Sequence, residues 1–306
     1  MPTESPKKSN IDPLHEIAVE YACMTKSFLR EVATMLVFFV IGTVTYTGGL
    51  WIWGTWHDEW SGYNKSLSMS DGICNIAVIP VVGSIISYRG ADENGSGNTL
   101  PPSTNMSDTL FAIGRAEADP HIKGILARID SPGGSPASSE MISKGFKETT
   151  LPVAAFITDI GASGAYLIAT GAKTIIASPF SNVGSIGVTM SYLENSQRDA
   201  SNGVKYVSLS TGKFKDSGSP DKPLTDEERA LFERDLSINH EQFVKEVSEN
   251  RNIPLEDVKK LADGSTMPGS LALEHKLIDA VGDKETVRDW FAGKLGIARE
   301  KVVFCQ

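Results

Sequence analysis

Three short segments of the 306-residue chain carry groups suited to chemistry. The first is Asp130-Ser131-Pro132-Gly133-Gly134, which closes the apolar run GILARI and precedes a helical pattern. Paired glycines there let backbone N–H groups face a ligand or a developing oxyanion, although Pro-Gly-Gly also makes ordinary turns. The second is Gly161-Ala162-Ser163-Gly164-Ala165-Tyr166, directly after LPVAAFI. A serine that opens a helix has an exposed hydroxyl near the positive end of the helix dipole. The N–H of Gly164 is then placed to join Gly133 or Gly134 around an oxyanion, while the bland role for such a serine is a helix cap. In the third segment, VKYVSL runs into Ser210-Thr211-Gly212-Lys213-Phe214-Lys215-Asp216.

A serine nucleophile needs a base. A lysine serves if burial lowers its pKa enough for the amine to be neutral. Lys213 and Lys215 flank Phe214, so an extended chain points both to one side, and spacing does not choose between them. Their bland role is as solvated loop lysines. Histidine is the other base. However, the GxSxG pattern is broken at Ala165, and His240 and His275 read as surface or helix-face histidines. Cys23, Cys74 and Cys305 contain no CxxC, and the five histidines contain no HxxxH pair. Neither a metal site, nor a cofactor, nor a disulfide framework is expected.

These segments need strands and helices to position them. β-rich runs are predicted at Ile76–Val82, Gly124–Ile129, Val153–Ile157, Thr174–Ala177, Ile186–Met190 and Val204–Leu209. Helical patterns lie at Ser107–Glu117, Ala137–Lys147 and Ser163–Thr170. The alternation predicts an α/β fold built on a largely parallel sheet. Residues 89–106 read as a long polar loop. Thr225-Asp226-Glu227-Glu228 is a capping box that opens a helix toward Glu249, and shorter helices are predicted at Pro254–Ala262, Gly269–Glu274 and Lys284–Lys294. No internal repeat is visible.

The N-terminus is organised differently. Val32–Trp56 holds no charged residue, and Trp51, Trp53, Trp56 and Trp60 cluster at its far end. Length and aromatic belt together predict a single membrane anchor over 32–56. A tail with an amphipathic helix precedes it (1–31) and a polar stalk follows (57–74), leaving 75–306 as the globular domain. Lys26 and Arg30 before the span outnumber Lys65 soon after it, which favours an extracytoplasmic domain. The formal charge of −9 argues against a nucleic-acid partner.

Taken in order, ILARIDSPGGS, ASGAYLIATGA, SPFSNVGSIGV, TGKFKDSGSP and LADGSTMPGSLALEHKLIDAVGD resemble the signal peptide peptidase A family of membrane-anchored Ser-Lys proteases, in its short form with one catalytic unit. The resemblance covers most of 75–283. It implies a ClpP/crotonase-like spiral of ββα units, with Ser163 as nucleophile and Lys215 as general base. Gly133 and Gly164 fall in the oxyanion-hole region, with Gly134 a further candidate, and Ser185 orients the lysine. It also implies signal-peptide remnants and other apolar peptides as substrates, and a homo-oligomeric ring in which serine and lysine meet across a subunit boundary. Met267, Pro268 and Lys276 depart from the family pattern without touching the dyad. Two other functions stay open: a non-catalytic membrane scaffold of the same fold, and a crotonase-type acyl-CoA enzyme.

Overall fold

The computed structural model describes residues 69–88 and 102–305. The expected tail, the anchor and most of the stalk lie outside the described residues, as does most of the polar loop 89–106. Among the described residues, no helix is long and apolar enough to cross a membrane.

The domain is built on four strands that run side by side: β1 (Ile76–Ile86), β3 (Gly124–Gly134), β4 (Val153–Ala162) and β5 (Thr174–Ala177). All three pairings among them are parallel. β2 (Ser103–Asn105) flanks β1, and β8 (Ala280–Val281) flanks β5. These strands carry apolar residues on both faces because helices cover both. Ile125, Ala127 and Ile129 of β3 face one core, which takes in α1 (Met106–Ala118), α2 (Pro136–Glu148) and α3 (Gly164–Thr170). Leu126, between them, joins a second core with Ile76, Ala154, Ile176 and Phe291 of α8 (Lys284–Leu295). The period of two sorts the buried residues of this stretch between the two cores. Each buried isoleucine is worth roughly 1.5–3 kcal/mol.

β4 forks the sheet. Its first half pairs with β5, while Ile160–Ala162 pair with β6 (Asn182–Gly184). β6 in turn pairs antiparallel with β7 (Thr266–Pro268). The chain leaves β4 at Ser163, between the ends of β3 and β6, and this opening is where a site can form. Among the described residues the remaining α-helices are α4 (Ser196–Ser201), α5 (Asp226–Arg251), α6 (Leu255–Leu261) and α7 (Gly269–Glu274). α5 opens with the expected capping box, since Thr225 Oγ1 accepts the Glu228 amide and the Glu228 carboxylate accepts the Thr225 amide.

Three expectations change. Ile186–Met190 and Val204–Leu209 form no strand. Val204, Val207 and Leu209 are exposed, so their β propensity finds no sheet face to cover. The end of the predicted polar loop is a strand, because Thr104 exchanges hydrogen bonds with the backbone of Val82. The cysteines also pair: Cys74 and Cys305 form a disulfide with Cα atoms 5.1 Å apart across 231 residues of sequence. The chain end runs beside β1, where Ile76 bridges Phe304 and accepts the Cys305 amide, and this juxtaposition has no signature in cysteine spacing.

Candidate active site

Ser163 sits at the turn from β4 into α3, with φ 54° and ψ −126°. A non-glycine residue there carries backbone strain of roughly 1–3 kcal/mol. The turn is held from both ends. The Ser163 amide donates to the Gly184 carbonyl of β6 at 2.8 Å, and its carbonyl accepts the Leu167 amide at 3.1 Å. The hydroxyl makes no capping bond to the helix. The bland role as a cap is therefore not the one the structure gives this serine. A sharp strand–turn–helix geometry of this kind is one that suits a nucleophile. α3 is fixed below it by Tyr166, which is fully buried and donates its hydroxyl to the Leu277 carbonyl at 2.8 Å. Burial pushes the Tyr166 phenol up, which keeps its hydroxyl a donor to that carbonyl.

The glycines of β3 close around the serine. A Cβ on Gly133, whose φ is +103°, would stand 2.9 Å from both the Ser163 Cβ and the Gly164 amide nitrogen. Only glycine allows that approach. The Gly133 amide itself donates to Ser131 Oγ at 3.1 Å, and Ser131 Oγ in turn donates to the Gly83 carbonyl at 2.6 Å. Gly134 is turned the other way. Ile85 of β1 is paired with it, and the next amide, that of Ser135, donates to the Ile85 carbonyl at 2.9 Å. In a parallel pair this leaves the Gly134 amide pointing away from β1. The Gly164 amide, at the first position of α3, has no partner within its helix. A cavity of about 1010 Å3 opens here, and Ser163, Gly134, Gly164 and Ser185 all line it. Gly133, expected from the resemblance to supply an oxyanion donor, lies behind this surface with its amide already bonded. Which glycine turns its amide outward depends on the β1–β3 register, which local sequence does not carry.

Ser185 has φ 50°, donates its hydroxyl to the Gly264 carbonyl at 2.9 Å, and donates its amide N–H to the Ser265 carbonyl at 2.8 Å. It lies in the loop after β6, on the Ser163 side. The cavity wall is completed by apolar residues, among them Leu167, Leu236 and Phe243, and by Glu140, Glu233, Glu246 and Asp263. The Ser265 hydroxyl, then its amide, hold the Asp263 carboxyl below the usual range. The wall is therefore mixed, apolar and acidic, around the serine. His240 lines the cavity too, with Nε2 3.1 Å from the Ala262 carbonyl. That bond makes Nε2 the protonated nitrogen. His275 instead ends α7.

The two candidate lysines fall elsewhere. The segment 211–218 is a series of bends and turns, not the extended chain expected, and among the described residues no lysine lines the Ser163 cavity. The turns also separate the two residues that spacing left equivalent. Lys213 pairs with Glu227 at 2.6 Å, whereas Lys215 is exposed and makes no ion pair among the described residues. No cluster of side chains able to hold a metal ion occurs among the described residues.

Comparison with known sequences gives a consistent picture. The profile of peptidase family S49 matches residues 145–297. A putative protease of Methanocaldococcus jannaschii is 34% identical over 171 residues, which are 55% of this chain and 55% of that protein. A putative signal peptide peptidase of Enterococcus faecium is 31% identical over 188 residues, 60% of this chain and 55% of the relative. A chloroplastic serine protease of Arabidopsis thaliana is 30% identical over 231 residues, 74% of this chain but 33% of its own length. The chain thus spans about half the length of the first of these relatives.

Proposed function

The chain belongs to peptidase family S49, and from that premise we propose that it is a membrane-anchored serine endopeptidase with a Ser163–Lys215 dyad, acting on signal-peptide remnants and other apolar peptides. The observation that carries the nucleophile is the strained, uncapped Ser163 at the mouth of a cavity. Its Oγ attacks the peptide carbonyl carbon while a neutral lysine amine takes the hydroxyl proton. The tetrahedral oxyanion forms between the Gly134 and Gly164 amides, each such donor being worth roughly 2.7–4 kcal/mol. Collapse expels the amine, which takes the proton back from the lysine. Water then releases the acyl group from Ser163 by the same proton route.

Lys215 is the base in this reading because it is the lysine of its turn without a carboxylate partner among the described residues. It is exposed and stands apart from the cavity lining of its own chain. Both facts favour a base supplied across a subunit boundary in a ring of ClpP/crotonase-like domains. Ser185 then presents its hydroxyl to the incoming amine. The Cys74–Cys305 disulfide favours an oxidising compartment and so an extracytoplasmic domain, with residues 32–56 as the anchor.

One observation favours a second base: His240 shares the cavity with Ser163 and is held there by Nε2, which donates to the Ala262 carbonyl. The deciding experiment treats the full chain in detergent with a serine-directed acylating probe and a fluorogenic apolar peptide. Modification at Ser163, with hydrolysis lost in Lys215→Ala and kept in His240→Ala, supports the dyad. Loss in His240→Ala alone sinks it. Turnover of an acyl-CoA in place of the peptide would instead identify a crotonase-type enzyme.

A further inference from the structure

The turn that carries Lys215 is tied to the N-terminus of α5 by a chain of charges. Glu228, the third residue of that helix, is 3% exposed. One carboxylate oxygen accepts the Thr225 amide at 3.0 Å, and the other accepts Lys222 Nζ. Lys222 Nζ also lies 3.8 Å from Asp216 Oδ1. The second oxygen of Asp216 accepts the hydroxyls of Ser208 and Tyr206. Asp216 is the residue directly after Lys215.

That adjacency poses a problem for a basic lysine. A carboxylate within a few ångströms favours the ammonium form and would suppress a neutral amine. We propose that Lys222, Asp216 and Glu228 form a positioning network that seats the Lys215 turn on α5 and keeps the Asp216 carboxylate engaged away from the Lys215 amine. The inference rests on the reading of Lys215 as base and adds the residues that make it a competent one. The bond from Lys222 foremost, then the Thr225 amide, holds the Glu228 carboxyl down at about 2. The Ser208 hydroxyl, with Lys222, holds Asp216 below its ordinary value. Both carboxylates are therefore charged throughout the range in which a lysine base titrates.

The charged and titratable groups about the turn are Lys213, Asp216 and Lys222 on the loop, Tyr206 before it, and Glu227 and Glu228 on α5. Lys205, Asp199 and Asp221 line a neighbouring hollow together with Tyr206 and Lys222. Across a shared boundary, Glu140, Glu233, Glu246, Asp263 and His240 of the Ser163 cavity would also face the amine. All of these outside the network are constant in the variants below, so they set the midpoint and not its displacement.

The test is the pH dependence of kcat/KM for the full chain in detergent with a neutral fluorogenic peptide, a quantity that reports ionisations of the free enzyme. Lys222→Met frees Asp216 for Lys215 and should move the rising limb up by about one pH unit or more, lowering activity about tenfold on its acid side. Adding Asp216→Asn should return the limb to the parent position, a reversal that general loosening of the loop would not produce. Lys222→Arg should keep the parent midpoint. Because Lys222→Met leaves the buried Glu228 charge uncompensated, the series is repeated with Glu228→Gln, which removes that charge and preserves the capping box. An unmoved limb in Lys222→Met on both backgrounds overturns the network, as does a displacement that Asp216→Asn does not reverse. An active Lys215→Ala enzyme overturns the base reading itself, so the two failures are told apart.

Discussion

At the scale of single residues, the proposed chemistry needs one hydroxyl, one amine and two amides. Ser163→Ala and Lys215→Ala are each expected to lower kcat by at least about a thousandfold with the melting temperature unchanged, since the residual rate of a site without its nucleophile or base comes from binding and the oxyanion hole. Lys213→Ala should keep most of the activity, because its pair with Glu227 is exposed and worth little. A dead Lys213→Ala beside an active Lys215→Ala would reverse the assignment. Gly133→Ala tests the geometry differently. Its new Cβ would press on Ser163 Cβ and the Gly164 amide, so kcat should fall about a hundredfold with a smaller change in KM; a loss below tenfold would show that the approach of β3 to the serine is not needed. Ser163 was legible in the sequence because strand, small residues and helix are local. The difference between Lys213 and Lys215 was not, since it lies in an ion pair from Lys213 to Glu227, 14 residues further on. Gly134 was only one candidate among three for the same kind of reason, because strand pairing decides which amide faces the cavity.

At the scale of elements, β1, β3, β4 and β5 were readable because strands covered on both faces are apolar at nearly every position. The opposite fate of Val204–Leu209, equally rich in β formers, shows what propensity lacks without a surface to pack on. β2 was hidden in three polar residues whose role is to pair with β1. The disulfide was hidden too, and it makes a simple prediction. Under denaturing, non-reducing conditions one thiol, that of Cys23, should titrate, and three after reduction. Three without reductant would remove the clasp. Replacing Cys74 and Cys305 with serine should cost about 2–5 kcal/mol, read as a drop in melting temperature. α5 offers a pH signature. The Glu228 carboxyl sits at about 2 against an ordinary 4.5. Because its folded value is the lower one, its stabilisation is full above 4.5 and is lost as pH falls through about 2. Glu228→Gln should therefore lower the melting temperature at neutral pH and flatten its decline between these two values. An unchanged slope would mean that the Lys222 pair does not persist in solution.

At the scale of the whole molecule, the proposed ring has a candidate contact surface among the described residues. The segment that leads to Lys215 exposes Leu193 at 82%, Val207 at 65% and Leu209 at 94%. Contact with another copy of the chain, as the proposed ring requires, would remove these apolar groups from water and carry Lys215 toward a neighbouring Ser163. Such a contact is head-to-tail, joining one surface to a different one, and it closes into a ring when the rotation between copies permits. It also separates the two halves of each dyad onto different chains, which gives a complementation test. A Ser163→Ala subunit retains Lys215, and a Lys215→Ala subunit retains Ser163. Neither homo-oligomer should hydrolyse peptide. In equal random mixtures, a boundary is complete when the second kind donates the serine and the first the lysine, so about a quarter of the boundaries should be competent. Activity near a quarter of the parent, appearing only after dissociation and reassembly in detergent, is the expected result. Mixed oligomers verified by differential tagging that stay inactive would place serine and lysine within one chain, and would require the Lys215 turn to swing onto the cavity of its own domain.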